Sequence, residues 1–508
     1  MKTISNPKFR SDTKQILRLC FPYIFSYVLE LLLLPAISNV FMGWIGQQEF
    51  NACALGRILY LLFAYSCHFG LTYACDTLLS QAYGGNKRQM DIIIQRAFLL
   101  GAFAVMFAWI FLVNIQYFTR FIGKDQQSIQ LINRYLLFSI IMVPFEAFSI
   151  LMQKFVINHG VTWPLLAINS IGNVVNVVAH CLLLFVFKFG VAAPPIAFAF
   201  AYLTIGLSCI IYLRLTSLSK ETWQSWRRDC LQDWSTYMRL GVPGVIISFL
   251  QTLVYGGAIL LATVFNKDAI TSQNVVFHVD FCIFLITLAF AVSATIVLGR
   301  CLGANSYENA IQVKNTIYII VWIPISLTIL CSLLVIYWIP YVFHTPESAR
   351  SSTRYLLLIV IIFCAFDFYH LSQASILRAC GRQYFDAIVS FSSYFFVGIP
   401  MGVLFIFVLH LNMAGYWFAI ISSLIVTNIV FYIYIRKINW IEQAERAQVN
   451  ILSKKEAVPE RTSLLSDNAM KNELPIWNLL KKKLCVFFLL FLLFVFCLVF
   501  RLKYEDVF

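Results

Sequence analysis

The sequence predicts an all-α polytopic membrane protein: two pseudo-symmetric bundles of six helices, plus one extra C-terminal transmembrane helix. Three observations carry that prediction. The 508 residues are 60% hydrophobic and only 12% charged, with a mean hydropathy of +0.79. A water-soluble domain of this length cannot hide so much apolar sequence. The apolar residues also run in stretches of about 20, enough to cross a bilayer core of roughly 30 Å. Examples are FSIIMVPFEAFSIL at 138–151 and LCVFFLLFLLFVFCLVF at 484–500. Finally, the chain repeats itself.

The repeat is read from three ordered pairs. Arg18-Leu19-Cys20-Phe21-Pro22 matches Arg239-Leu240-Gly241-Val242-Pro243, and Tyr83-Gly84-Gly85-Asn86 matches Leu302-Gly303-Ala304-Asn305. Ile150-Leu151 matches Ile376-Leu377. All three lie about 220 residues apart, which predicts two six-helix halves starting on the same side of the membrane. A central site between two such halves can alternate its access, so the duplication favours a transporter over a receptor or an anchor.

Hydropathy and Gly/Pro breaks place thirteen helices near 17–43, 54–80, 93–117, 132–156, 163–187, 192–214, 238–265, 271–298, 312–340, 354–377, 384–408, 412–435 and 483–501. The domains follow: an N-terminal segment over 1–16, an N-lobe over 17–214, a linker over 215–237 and a C-lobe over 238–435. Beyond them lie a polar, disordered loop over 436–482 and the last helix with its tail over 483–508. The net charge of +14 does not point to nucleic acid. Lys and Arg outnumber their counterparts on the other face roughly two to one on the side of the N-terminus, which places that terminus, the linker and the 436–482 loop in the cytosol. The 14 Cys are scattered and form no C-x-x-C pair, so neither a metal site nor a disulfide framework is expected. The N-terminal segment is too polar for a cleaved signal sequence.

Four motifs give the chain a family likeness. Cys75-Asp76-Thr77-Leu78-Leu79-Ser80-Gln81-Ala82-Tyr83-Gly84, followed by Gln95-Arg96, resembles the signature after the second helix of eukaryotic multidrug-and-toxin-extrusion (MATE) transporters. Cys230-Leu231-Gln232-Asp233-Trp234, Val297-Leu298-Gly299-Arg300-Cys301-Leu302-Gly303-Ala304 and Leu377-Arg378-Ala379-Cys380-Gly381-Arg382-Gln383 fit the same family in order. The likeness covers roughly 15–440, and the thirteenth helix is similar to that of the animal branch. It implies a twelve-helix, two-lobed core that exports small organic cations against proton, or sometimes sodium, entry. No other cofactor is expected.

Charged side chains inside membrane helices are costly, so each is a functional candidate. Asp367, in the tenth helix, matches a position where the family carries an acid that binds proton or cation. His370 lies one turn on and shares its face. In the seventh helix the chain departs from the family, with Gln251 and Gly256 where the animal branch carries glutamates. Tyr255 is one turn from Gln251 and can offer its ring to a cation. His278 in the eighth helix stands where the family often has another glutamate; Asp280 is about 200° round the helix from it, so the two cannot share one cavity. Glu30 in the first helix is the N-lobe candidate. Asn173 and Asn176 match a family Asn-x-x-Asn pattern, and His180 follows them. Asp76, Arg96, Asn173, Asn176 and Arg378 are read as structural or gating residues, with Asp76 expected to pair with Arg96 or another loop base.

The expected mechanism has Asp367 alternate between proton and substrate, with His278 or His370 assisting. No P-loop occurs, so an ion gradient is the expected driving force. A lipid or lipid-linked-precursor flippase of similar architecture is the rival reading, and a transport-dead membrane scaffold the next. Glu460, Leu464 and Leu465 form an E-x-x-x-L-L motif of the kind clathrin adaptors read, which adds endosomes or lysosomes to the plasma membrane as expected locations.

Overall fold

The computed structural model describes residues 7–122, 126–220, 222–223, 225–451, 486–487 and 490–495. Its elements are helical throughout, with no strand among the described residues. Among the described residues, twelve helices are long and apolar enough to cross a membrane. They are α1 (Pro7–Ile45), α2 (Gln47–Gly84), α3 (Lys87–Asn114), α4 (Gln126–Asn158), α5 (Trp163–Val186), α6 (Gly190–Leu215), α7 (Trp234–Ala262), α8 (Lys267–Gly303), α9 (Tyr307–Val335), α10 (Glu347–Ala379), α11 (Gln383–Val408) and α12 (Asn412–Lys437). Several begin earlier than hydropathy indicates: α1 starts at Pro7 rather than near 17. Polar end turns carry no hydropathy signal, yet they still close the helical hydrogen bonds.

Neighbour relations reproduce the repeat. Within the lobes, α2 packs on α4 as α8 packs on α10, and α4 on α6 as α10 on α12. Across the middle, α1 packs on α8, α7 packs on α2, and α2 meets α8. Exchanging the halves maps every one of these pairs onto its counterpart, as a two-fold axis between the lobes requires.

The two lobes meet most closely where the even-numbered helices end. Without a hydrophobic force between helices in lipid, close backbone packing and hydrogen bonds must hold them. Gly84 of α2 lies against the Arg300 carbonyl, and Gly303 of α8 against the Gln81 carbonyl; a Cβ at either would overlap backbone. The Thr77 hydroxyl donates to the Arg378 carbonyl at 2.7 Å, and Gln81 Nε2 to the Ala379 carbonyl at 2.9 Å. A Gly303→Val variant is therefore expected to hold this end apart. The measurement is maleimide labelling of Cys75, which is fully buried in the closed arrangement; labelling as slow as in the wild type would contradict the assignment.

The polar loop expected over 436–482 begins instead with a helix, α13 (Trp440–Ile451). Trp440, Ala444 and Ala447 are buried at helical spacing, an apolar stripe that the overall polarity of the segment conceals. α13 touches α2, α8 and α9 and so bridges both lobes. Gln448 donates to the Gly303 carbonyl, and Arg382 Nε to Gln443 Oε1 at 3.3 Å. The sorting residues Glu460, Leu464 and Leu465 lie outside the described residues. The same holds for most of the predicted thirteenth helix, whose Phe487 and Phe494 meet Phe103 and Trp109 of α3.

The linker between the lobes is fastened to α3. Gln95 Nε2 donates to the Ser225 carbonyl at 2.7 Å, and the Arg227 N–H donates back to Gln95 Oε1 at 2.9 Å. His159, between α4 and α5, adds a contact to Thr222 Oγ1 at 2.8 Å. Burial pushes its imidazole below the ordinary histidine range, which keeps the ring neutral.

Candidate functional site

Three C-lobe helices converge on a pair of carboxylates. Asp367 sits midway along α10, with its side chain 13% exposed. The Tyr255 hydroxyl of α7 donates to Asp367 Oδ2 at 3.4 Å, a long and weak bond. His370, one turn on, places Nδ1 3.9 Å from Asp367 Oδ1 and stacks on Phe431 of α12. That separation is an ion-pair contact at its outer limit, not a hydrogen bond. Asp280 of α8 is buried and accepts from Cys364 Sγ at 3.3 Å, while its second oxygen has no hydrogen-bond partner. Cys364 and Asp367 share one face of α10 at i and i+3, so the two acids belong to one neighbourhood. Asn428 of α12 donates to the Phe366 carbonyl at 3.1 Å and fixes the backbone beside Asp367.

Aromatic rings wall this neighbourhood. Tyr255 packs edge-on against Phe284 at 5.4 Å, and Phe363 lies 4.9 Å from Trp417, whose indole donates to Gln273. Aromatic faces of this kind can hold a cation, and neighbouring carboxylates can supply a countercharge. Gln251, a turn below Tyr255, accepts from the Tyr73 hydroxyl of α2 at 3.4 Å and so stands at the junction between lobes.

His278 is not in this group. It is exposed and stacks on Phe343 beyond the end of α9, so the reading in which it assists Asp367 is corrected. The two-residue spacing decides it: with Asp280 turned into the lobe, His278 must turn out.

The N-lobe holds a second polar cluster. Glu30 lies in a π-helical stretch of α1 (Val28–Leu33) and accepts from Gln153 Nε2 at 2.9 Å. A π-turn leaves backbone carbonyls short of partners. Asn173 donates to the Leu29 carbonyl and Asn176 to the Leu34 carbonyl, which gives the Asn-x-x-Asn pair a bracing role. His180 donates through Nδ1 to the Asn176 carbonyl and stacks on Phe41.

Between the lobes, Asp76 departs from expectation. Its partners are Lys154, whose Nζ lies 2.9 Å from both carboxylate oxygens, and Arg378 of α10 at 3.8 Å. Arg96 instead reaches the Asp229 carbonyl at 3.4 Å, on the linker. Lys154 is not a loop base but lies buried inside α4. Arg378 also lies over the Tyr73 ring at 3.8 Å.

Sequence reasoning missed Lys154, Glu146 and His68. Glu146 accepts from the Tyr60 hydroxyl and lies 3.2 Å from His68 Nε2, all three buried. The signal was present, because Glu146 is an acid inside the 138–151 apolar stretch, but the stretch registered only as lipid-embedded.

The matches with known proteins agree with this architecture. Multidrug and toxin extrusion protein 1 of Homo sapiens is 27% identical over 453 residues, covering 89% of this chain and 79% of the relative. Its counterpart in Danio rerio is 26% identical over 453 residues, covering 88% and 76%. The crystal structure of the eukaryotic MATE transporter AtDTX14 superposes with a TM-score of 0.81 at 18% identity, covering 88% of this chain and all of that one. The MatE family model matches twice, over residues 22–182 and 243–404, one match per lobe. With the family model covering more than half of the sequence and each of its copies falling on one six-helix bundle, the chain belongs to the MatE family of multidrug and toxin extrusion transporters.

Proposed function

We propose that the chain exports small organic cations across its membrane in exchange for protons, and that the C-lobe pair Asp367 and Asp280 carries the exchange. The observation that supports this most is Asp367: a membrane-embedded carboxylate that accepts a long bond from Tyr255 and has His370 at the outer limit of an ion pair, beside aromatic faces. A carboxylate in that setting is neutral when it holds a proton and is stabilised as an anion when a cation arrives, so proton and substrate compete for one group. His370 flanks the acid. Gln251 and Gly256 stand where acids are expected from the family likeness, so countercharge for the cation comes from α8 and α10 rather than α7. The positive-inside distribution favours a cytosolic position for the closed, glycine-packed end.

The test is uptake of tetraethylammonium, whose charge does not titrate, into proteoliposomes with an imposed proton gradient, a sodium gradient or neither. Proton-driven accumulation is expected. Accumulation driven by sodium alone would replace the coupling ion, and uptake indifferent to both gradients would sink antiport and favour a lipid-handling or uncoupled transporter.

A further inference from the structure

His68 lies on a short α-helical segment of α2, Ser66–Leu71, set between a π-turn at Leu61–Tyr65 and a break at Thr72. Glu146 lies on α4, two residues after Pro144. The ring of that proline leaves the Ile140 carbonyl without its helical donor, and Trp109 Nε1 takes it at 2.8 Å. Both helices are therefore irregular but braced where the two side chains meet.

Proton accounting defines the state of this pair. His68 Nδ1 lies 3.0 Å from the Ala64 carbonyl, which can only accept, so Nδ1 carries a proton. Nε2 lies 3.2 Å from Glu146 Oε2, approaching it obliquely rather than along an N–H bond, and has no other polar partner. The Tyr60 hydroxyl donates to the same carboxylate oxygen. With a neutral ring and an ionised acid, a bare ring nitrogen would lie 3.2 Å from an anionic oxygen with no proton between them, where the two side chains are only 1% and 2% exposed. The arrangement is satisfied when one further proton sits on Nε2 or on the carboxyl group. Loaded, the pair is neutral as a whole. Unloaded, it carries one negative charge, with the Arg57 guanidinium among the groups that act on it.

We propose that His68 and Glu146 form a second proton-binding site, in the N-lobe, separate from the C-lobe acids; this rests on the antiport reading. The charged and titratable groups around it are Arg57, Tyr60 and Tyr65 of α2, Tyr135 of α4, Tyr202 of α6 and Glu30 of α1. Lys154 is committed to Asp76 further along α4. The site reaches the lobe interface through the segment that bears it. Ser66 Oγ lies 3.3 Å from Thr252 Oγ1 of α7, and Gly70 lies against the Gly244–Val245 backbone. α7 also carries Tyr255, the residue on Asp367. Loss of the proton removes what holds His68 to Glu146, frees the irregular segment of α2, and so acts on the helix that positions the C-lobe site.

The test is the balance point of transport in proteoliposomes with the membrane potential clamped to zero. Each proton exchanged multiplies the cation ratio that stops net flux by about tenfold per pH unit. Wild type is expected to balance at about 100-fold per unit, and His68→Gln and Glu146→Gln each at about tenfold. A wild-type ratio of about tenfold would overturn the proposal even if neither variant folds, as would variants that keep the wild-type ratio. A wild type with no proton-driven flux at all overturns the antiport reading itself.

Discussion

Asp367→Asn is expected to abolish proton-driven cation uptake while leaving the folded protein intact. Asparagine is nearly isosteric and still accepts from Tyr255, so the α7–α10 contact survives. What it loses is the charge and the ability to exchange a proton. A hydrogen bond or contact to a charged group contributes about 1.5–3 kcal/mol, so cation affinity should fall roughly 10–100-fold. The residual uptake should no longer respond to the pH gradient. Tyr255→Phe removes only a 3.4 Å hydrogen bond and one polar handle, so its effect should be nearer 1 kcal/mol, with the gradient response kept. Equal binding of a labelled cation by wild type and Asp367→Asn in detergent, with intact gradient response, would remove Asp367 from the mechanism.

Asp76→Ala should produce the largest structural effect. Asp76 is completely buried, and the substitution strands two cations that are themselves 2% exposed, Lys154 and Arg378. Breaking a buried ion pair by removing one partner typically costs about 3–5 kcal/mol, because the remaining charge loses its compensation. Because Arg378 belongs to the C-lobe and Asp76 to the N-lobe, part of that loss falls on the closed end where the lobes meet. The expected results are a lower Tm of the purified protein and faster labelling of Cys75. Asp76→Asn combined with Lys154→Gln should recover part of the stability, since the lysine charge is then no longer buried alone. A single variant as stable as wild type would show that water already enters between the lobes at Asp76.

Much of this architecture is legible without coordinates. Twelve apolar stretches and a repeat near 220 residues specify two bundles of six, because in lipid every backbone group must be satisfied within its own helix. Asp367 stands out for the same reason: an acid in a membrane helix is too costly to be idle. The spacing of His278 and Asp280 shows that only one can face inward, but the sequence contains nothing to choose between them. Packing chooses, because Cys364 of α10 offers a donor to Asp280 while Phe343 offers a ring to His278.

Other assignments are decided only between helices. Hydropathy reads Glu146 as one polar letter in an apolar run and Lys154 as a polar residue at the end of the same helix. Their partners, His68 and Asp76, lie 78 residues away in the chain on α2, and no local pattern connects them. The stripe of α13 is likewise invisible until α8 and α9 give it something to cover. The sequence by itself determined the membrane-spanning helices, the two-lobed repeat and the cost that marks Asp367, since these follow from backbone hydrogen bonding and transfer energies along one helix. Tertiary structure alone decided which carboxylates share a site, where Asp76 finds its countercharges and how His68 meets Glu146, because pairing depends on which faces of distant helices are brought into contact.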